Sequence, residues 1–224
     1  VLTCEEQAAS GLAMNGQLNG GRIVVTSDGT DLAERLASAL LDRGVAAEAV
    51  DDVPTDKLGG LIFLGGLRQV DSTDEAIAVN REAFAAAQAF AAAHSGDGLF
   101  VTVQDTGGAF GTTPFAPERA YLAGLSALVK TASQEWPEAS LKSIDIQIGE
   151  RDLPALAKAL ADELLLGGGE IEVGLMADGT RLSPRSVAAD VGPGQALTPQ
   201  ELVDVGTVPA PGVTASRSLS LVQL

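Results

Sequence analysis

Short apolar runs alternate along this sequence with longer segments whose apolar residues recur at helical spacing. Residues 22–26, 61–64 and 99–103 are short and rich in Val, Ile, Leu and Phe, as buried strands are. After the first run, leucines recur every fourth residue from 32 to 40, and Gly44 follows where a helix would end. The alternation predicts an α/β fold with a parallel sheet, right-handed connections and helices on both faces.

The rest of the chain continues this alternation as far as residue 176. Three further runs have strand character: 45–50, 143–146 and 171–176. Three further helices are predicted: from the capping candidates 71–74 to His94, from Glu118 to Glu135, and from Pro154 to the glycines at 167–169. The run at 171–176 is the last predicted strand, because a turn at Asp178-Gly179 follows it.

The two ends of the chain differ in composition from this alternating part. Residues 1–20 contain Asn-Gly pairs at 15–16 and 19–20, which predict turns in an N-terminal lead-in. Residues 188–224 are marked by Gly and Pro and predict a linker or the start of a following subdomain. The folded domain is therefore expected to span residues 21–187. Because the chain begins with Val1 and not Met, we expect it to be part of a longer polypeptide.

Charge and residue counts exclude several classes of function. The chain has 14 Lys and Arg against 30 Asp and Glu, a formal net charge of −16, whereas nucleic-acid binding needs clustered cations. A single cysteine, Cys4, and a single histidine, His94, exclude a disulfide framework and metal sites built from thiolates or several histidines. No apolar run approaches the ~20 residues of a membrane helix. We therefore expect a cytoplasmic protein that binds no nucleic acid, membrane or metal.

The turn after the first predicted strand is where a dinucleotide site would be expected. In dinucleotide-binding folds this turn carries G-x-G-x-x-G, whose glycines let backbone amides approach the pyrophosphate at a helix N-terminus. Here the turn is Ser27-Asp28-Gly29-Thr30-Asp31, with one glycine and two carboxylates that repel a diphosphate. We predict a structural turn in which Asp31 caps the following helix, with no cofactor bound to these residues.

Several segments carry a resemblance to a known family. The most specific is residues 122–137, LAGLSALVKTASQEWP, which LKSIDI follows at 141–146. Residues 59–62, 79–84 and 172–185 add weaker similarity. Together these segments resemble the short-chain dehydrogenase pattern, specifically the ketoreductase region of polyketide synthases and polyunsaturated-fatty-acid synthases. The likeness spans residues 20–187.

The resemblance implies a division of labour between two halves of a ketoreductase. In that family, the first half is a truncated Rossmann-like structural subdomain without cofactor. The second half binds NADPH and reduces the β-ketoacyl chain on an acyl carrier protein. This sequence resembles the first half. The resemblance therefore implies a truncated Rossmann-like parallel sheet and a chain that is inactive alone. It also implies that the catalytic half of the same polypeptide is the partner, with the acyl carrier protein as a further one.

The residues at the family's reducing positions agree with that assignment. The family uses Asn, Ser, Tyr and Lys, with Tyr and Lys four residues apart so that the lysine lowers the phenol pKa. Alignment of the helix places Glu118 at the tyrosine position and Leu122 at the lysine position. Asp105 lies at the strand end that carries the serine, and Asn80 alone matches the family. The resemblance therefore implies that the catalytic site is missing from this chain.

Two other functions remain open from the sequence. One is a self-contained reductase with an atypical site made of Asn80, Tyr121 and Lys130. The other is a scaffold for dimerisation or carrier-protein docking. The glycine-rich loop at residues 107–115 bears Phe110 and Phe115 at the carboxyl end of a strand, which predicts either a partner contact or a lid. We favour the partner contact.

Overall fold

Eight strands form a single mixed sheet at the centre of the structure. The computed structural model describes residues 2–14, 18, 20–94 and 98–188, and Leu2–Ser186 form one unit. The strands are β1 Leu2–Glu6, β2 Ile23–Thr26, β3 Ala47–Val50, β4 Gly60–Gly66, β5 Leu99–Gln104, β6 Ser140–Ile146, β7 Glu172–Leu175 and β8 Arg181–Ser186. The helices are α1 Leu32–Leu41, α2 Thr73–Ala93, a 3₁₀ helix Pro117–Ala123, α3 Gly124–Glu135 and α4 Leu153–Leu166.

The strand order is β1-β8-β7-β6-β5-β4-β2-β3. The strands from β3 to β7 are all parallel, and β8 and β1 continue the sheet in antiparallel pairing. The order reverses at β2, because the chain moves outward to β3 and returns to β4 on the other side of β2. The predicted α/β class and parallel sheet are confirmed. The connection from β3 to β4, residues 51–59, contains no helix.

Helices cover both faces of the sheet, as predicted. On one face α1 and α4 pack on strand residues such as Val25, Ile62 and Ile144. On the other face α2 and α3 pack on Phe63 and Phe100. In each core, alanines of the helices lie among larger apolar side chains, which lets the helices lie close to the sheet.

The helix boundaries follow local capping chemistry. Ser72 caps α2 by accepting a hydrogen bond from the amide of Glu75 at 3.3 Å. Asp152 caps α4 by accepting one from the amide of Ala155 at 2.9 Å. These caps lie within or next to the segments predicted from the sequence.

The antiparallel end of the sheet was not predicted. The predicted last strand was 171–176, but the chain turns after β7 and returns as β8, which pairs with β7 and with β1. Pro184 within β8 argued against a strand, because proline removes a ladder donor. Leu2–Glu6 lies in the predicted lead-in and forms β1, whereas Asn15, Gly16 and Asn19 lie outside the described residues. The boundaries near residues 21 and 188 stay predictions.

Two further elements differ from their prediction. The helix expected from Glu118 starts as a 3₁₀ helix and becomes α-helical only at Gly124. The strand expected at 143–146 begins at Ser140, and every residue of it is buried, although polar residues alternate with apolar ones. Its two charged side chains have internal partners: Lys142 pairs with Glu163, and Asp145 accepts hydrogen bonds from the loop that follows β5.

A buried ion network fastens the antiparallel strands to the parallel part of the sheet. Glu163 of α4 accepts hydrogen bonds from Lys142 Nζ of β6 at 2.5 Å and from Arg181 Nε of β8 at 2.8 Å. Lys142 also donates to the carbonyl of Gly168 at 2.9 Å, and Arg181 donates to that of Gly167 at 3.0 Å. Burial lowers the pKa of Lys142, while the charge of Glu163 opposes this shift.

Membrane-spanning helices and metal-ligating clusters are both absent from residues 2–14, 18, 20–94 and 98–188. None of their helices combines the length and apolarity needed to cross a membrane. Their His, Cys, Asp and Glu side chains form no group of three or more that is arranged to hold a metal ion.

Candidate functional site

The carboxyl ends of β2 and β4 are where a ligand of this fold would bind, because the strand order reverses there. The turn after β2 contains the predicted degenerate positions Ser27, Asp28, Gly29 and Thr30. Gly29 has φ +89°, a left-handed conformation that glycine adopts without strain. The turn therefore has the tight geometry of a strand-to-helix connection.

The backbone amides of this turn are bonded to its own side chains. The amide of Gly29 donates to Ser27 Oγ at 3.0 Å, and the amide of Thr30 donates to Asp28 Oδ1 at 3.1 Å. The amide of Leu32 donates to Thr30 Oγ1 at 3.2 Å, and that hydroxyl donates in turn to Asp28 at 2.8 Å. A phosphate would need these donors and would also meet the buried Asp28 carboxylate.

The expected cap of α1 is formed differently. Asp31 occupies the N-cap position, but its side chain makes no capping hydrogen bond and lies 3.9 Å from Arg35. The hydroxyl of Thr30 accepts from the Leu32 amide instead. The prediction that the Asp31 side chain caps the helix is therefore wrong, because its carboxylate lies near Arg35 and accepts no hydrogen bond from an amide of the first turn.

Arg119 occupies the neighbouring strand ends. Its Nε donates to the carbonyl of Asp105 at 2.6 Å, Nη1 to that of Arg68 at 2.8 Å and Nη2 to that of Gly66 at 2.7 Å. Burial lowers the pKa of this guanidinium, while the charges of Asp105 and Asp145 oppose the shift. A cation bonded to three carbonyls at the ends of β4 and β5 locks the 3₁₀ helix over this part of the sheet.

Asn80, the position that the sequence alignment matched to the family's asparagine, bonds to main-chain atoms. Its Nδ2 donates to the carbonyl of Ala76 at 2.9 Å and to that of Tyr121 at 2.8 Å. A Cβ on Gly124 would lie 2.1 Å from Asn80 Oδ1, so α2 and the start of α3 are in close contact here. In this structure Asn80 therefore holds the 3₁₀ helix against α2.

The other reducing positions are dispersed. Glu118 is exposed, whereas Leu122 is buried in the core between α2 and α3. Lys130 Nζ pairs with Glu172 of β7 at 3.1 Å, and Tyr121 is 55% exposed. Of the three residues in the atypical-reductase hypothesis, the structure joins only Asn80 and the main chain of Tyr121.

Asp145 and Asp105 hold the loop that follows β5. Asp145 accepts hydrogen bonds from the amides of Thr106 and Phe110, both at 2.6 Å, and from Thr106 Oγ1 at 2.9 Å. Asp105 accepts from the amides of Gly107 at 2.9 Å and Ile148 at 3.2 Å. Burial raises the pKa of Asp145, and the hydrogen bonds oppose this shift. Asp105, the position aligned with the family's serine, therefore anchors this loop.

The two phenylalanines of this loop are half-buried. Phe110 has φ +50°, a strained conformation for a residue with a side chain, and its bond to Asp145 holds it there. Phe115 packs against its own loop, since a Cβ on Gly111 would lie 3.3 Å from its ring. Their role as partner contacts stays a prediction.

A cleft of about 330 Å³ lies beside the turn, at the carboxyl ends of β2, β3 and β4. Phe63 and alanines of α2 line it, and Asp51 and Asp52 lie at its edge. Glu82 also lines the cleft and is paired with Arg68 at 2.6 Å. The carboxylates make this surface unfavourable for a diphosphate.

Comparisons with known proteins identify the fold. The chain aligns with a putative short-chain alcohol dehydrogenase from Burkholderia multivorans at a TM-score of 0.52 and 13% identity, covering 71% of this chain and 97% of the other. A carbonyl reductase from Pseudomonas aeruginosa PAO1 in complex with NADP aligns at a TM-score of 0.51 and 14% identity, covering 71% and 98%. The chain has the short-chain dehydrogenase/reductase fold. No protein-family model and no curated protein sequence matches it.

The sequence predicted that the turn after β2 differs from a dinucleotide-binding turn. It did not predict that the side chains of this turn accept the hydrogen bonds of its own amides. The replacement of glycines by Ser27 and Asp28 was visible, and their tendency to bond nearby amides was a usable signal. Arg119 and Asp145 were not singled out, because their partners come from segments distant in sequence. Both residues bond main-chain groups, which leave no pattern in the side chains.

Proposed function

We propose that this chain is the structural, non-catalytic subdomain of a β-ketoacyl reductase within a multidomain polyketide or polyunsaturated-fatty-acid synthase. Its role is to support the NADPH-binding catalytic half of the same polypeptide. The motif at residues 122–137 supports the family, and the short-chain dehydrogenase/reductase fold agrees with it. The acyl carrier protein would then be a partner of the whole reductase.

The state of the turn after β2 carries this proposal. Dinucleotide binding at a Rossmann turn depends on free amides directed at the pyrophosphate. Here Ser27, Asp28 and Thr30 accept the hydrogen bonds of three such amides, and Asp28 adds a negative charge. The residues present therefore do not fit NADPH, and we derive no hydride transfer through this chain.

The chemistry of the reducing positions points the same way. Glu118 and Leu122 stand where the family's proton donor and its lysine would be, and an isobutyl group cannot lower the pKa of a neighbour. Asn80 and Arg119 are used to hold the 3₁₀ helix in place. These positions therefore support a domain that has the fold of a reductase but lacks the residues that carry out the reduction.

The outer face of α2, the 3₁₀ helix and α3 is a suitable contact for the catalytic half. Phe84 of α2 and Tyr121 of the 3₁₀ helix are each 55% exposed. Ala123, which ends the 3₁₀ helix, and Ala127 of α3 are also exposed. Interfaces between domains of one chain bury roughly 600–1,500 Å² and are stabilised mainly by apolar contact. This subdomain would then stabilise the reductase through the apolar area that the interface buries.

Titration of NADPH into the 224-residue chain tests the proposal. We expect no binding by calorimetry or nicotinamide fluorescence up to about 1 mM, a level at which ~1 μM sites saturate fully. A variant with Asp28→Gly and Thr30→Gly frees two turn amides and removes the charge, and any gain of binding in it would identify the turn as the obstacle. Micromolar binding by the unmodified chain, or its turnover of a ketone, would contradict the proposal and favour the self-contained reductase.

A further inference from the structure

The segment Pro117–Ala123 has an unusual helical form. It is a 3₁₀ helix of seven residues, whereas runs longer than about four residues are uncommon in this form because its hydrogen bonds have poorer geometry. Its bonds reach back three residues near both ends: the amide of Arg119 donates to the carbonyl of Ala116 at 3.0 Å, and that of Gly124 donates to the carbonyl of Tyr121. We call this segment the strap.

The amino acids of the strap do not account for its 3₁₀ form. Its sequence, PERAYLA, is rich in residues that favour the α-helix, and it contains no glycine and no β-branched residue. Pro117 stands at the first position, which an α-helix also tolerates. The chain becomes α-helical directly afterwards, at Gly124, although glycine is a poor helix former. Contacts outside the strap therefore impose the 3₁₀ form.

Two anchors fix the strap. The first is Arg119, whose guanidinium donates to three main-chain carbonyls at the carboxyl ends of β4 and β5. The second is Asn80 of α2, which is so close to Gly124 that a Cβ there would lie 2.1 Å from its Oδ1. Asn80 Nδ2 also donates to the carbonyl of Tyr121 at 2.8 Å, a carbonyl that an α-helix would direct at the amide of Leu125. The sheet thus holds the strap at Arg119, and α2 holds it at Gly124.

The length of chain between the two anchors suits a 3₁₀ helix and not an α-helix. The five residue steps from Arg119 to Gly124 span about 10 Å at the rise of a 3₁₀ helix but only about 7.5 Å at that of an α-helix. An α-helical strap would therefore fall short of one anchor by about 2.5 Å. The guanidinium of Arg119 cannot follow such a shift with all three bonds intact, because its donors form a rigid fork.

We infer that the strap is under tension between its anchors and becomes an α-helix when Arg119 is released. The backbone of Arg119 then moves by about 2.5 Å away from the carboxyl ends of β4 and β5. Tyr121 turns by about 60° relative to Gly124, because each residue of an α-helix turns less than one of a 3₁₀ helix. The strap therefore couples the closure of these strand ends to the orientation of Tyr121, which is 55% exposed. It does so whether or not the chain supports a reductase.

Helix geometry provides a direct test, because one added residue should relieve the tension. Five 3₁₀ steps turn by about 600° and span about 10 Å, and six α-helical steps turn by about 600° and span about 9 Å. Inserting one alanine after Ala120 therefore lets an α-helix reach both anchors in the same orientation. Leu122, the buried residue of the strap, turns by only about 40° relative to Gly124 and stays directed at the core.

Nuclear Overhauser contacts in the isotope-labelled 224-residue chain distinguish the two forms. Contacts from an Hα to the amide four residues later mark an α-helix, because its hydrogen bonds join residues four apart. We expect them in the strap of the insertion variant and not in that of the unmodified chain. The urea midpoint of the variant should stay within about 0.3 M of the unmodified chain.

A matched control inserts one alanine after Val129, within α3. Because α3 is a regular α-helix, the insertion turns the buried Ala132 and the residues beyond it by about 100° from the core. We expect the urea midpoint of this control to fall by at least about 1 M. The same added residue is therefore tolerated in the strap and destabilising in the helix that follows it.

A second pair of variants tests the Arg119 anchor. Arg119→Met releases the strap from the strand ends and should produce the four-residue contacts without any insertion. Arg151→Met is the matched control, because Arg151 also donates to three main-chain carbonyls, those of Gln147, Leu175 and Met176, all of them outside the strap. The strap should keep its 3₁₀ form in this control. If Arg119→Met fails to fold, the insertion variant decides the question.

Three results would overturn the tension in the strap. One is an insertion after Ala120 that leaves the strap in 3₁₀ form or destabilises the chain as much as the insertion after Val129. Another is a folded Arg119→Met chain whose strap remains 3₁₀, since packing on α2 would then set the form. The third is the presence of four-residue contacts in the strap of the unmodified chain. These results leave the proposed function intact, whereas NADPH binding by this chain would contradict the proposed function and leave the strap unaffected.

Discussion

A single change at Glu163 should lower the stability of the fold strongly. It is 4% exposed, and its carboxylate is shared by two cations, Lys142 at 2.5 Å and Arg181 at 2.8 Å. Glu163→Gln keeps the shape but removes the negative charge that Lys142 contacts, and Lys142 would then keep the Gly168 carbonyl as its partner. Breaking a buried pair from one side costs ~3–5 kcal/mol, because the remaining charge stays desolvated.

Urea unfolding followed by circular dichroism measures this cost. With a slope of ~2 kcal/mol per molar urea, the midpoint should fall by ~1.5–2.5 M. Adding Lys142→Met to Glu163→Gln removes the stranded cation and should recover more than half of the loss, since apolar replacement of a buried pair is often close to neutral. Lys158→Met breaks an exposed pair with Asp162 and serves as the control, with an expected change below ~1 kcal/mol.

The pH dependence of the Glu163→Gln variant has a definite sign. Burial already lowers the pKa of Lys142, and the variant removes the carboxylate that opposes this shift. A lysine whose pKa is lower in the folded than in the unfolded state makes folding more favourable as pH rises between those two values. The deficit of the variant should therefore shrink as pH rises towards the ordinary pKa of lysine, ~10. A midpoint within ~0.3 M of the unmodified chain at neutral pH would refute a desolvated Lys142.

Two further predictions concern the 3₁₀ helix. Arg119→Met leaves three carbonyls without their donor and should cost ~2–4 kcal/mol by urea unfolding, with Arg119→Lys recovering part of it; an unchanged midpoint for the methionine variant would argue against the three bonds. Gly124→Ala places a methyl group 2.1 Å from Asn80 Oδ1 and should cost ~1–3 kcal/mol. In an Asn80→Ala background the same change should cost less, and equal costs in both backgrounds would contradict the close contact.

The parallel part of the fold was predictable because its signals are local. Buried strands such as β4 are continuous apolar runs, and Ser72 lies among the predicted capping residues of α2. The antiparallel end was not, because β1 and β8 pair across most of the chain length. β8 was also hard to predict because it contains Pro184, and proline is rare within strands.

The candidate site was predictable at the level of residue type and not at the level of contacts. The carboxylates of the turn after β2 indicated that a diphosphate would be repelled. Neither Arg119 nor Asp145 carried a signal, because a side chain that bonds distant carbonyls or amides has no fixed spacing to its partners. The aligned Asn80 matched the family in identity, yet its amide holds a neighbouring turn of helix.

The pairing of Leu2 with Ser186 has a consequence for how this unit can be combined with others. Adjacent antiparallel strands lie about 4.8 Å apart, so the unit begins and stops at nearly the same point. Such a unit can be inserted into a surface loop of a host protein without separating the two ends of that loop. Circular permutants that join Leu2 to Ser186 by a short peptide should also fold.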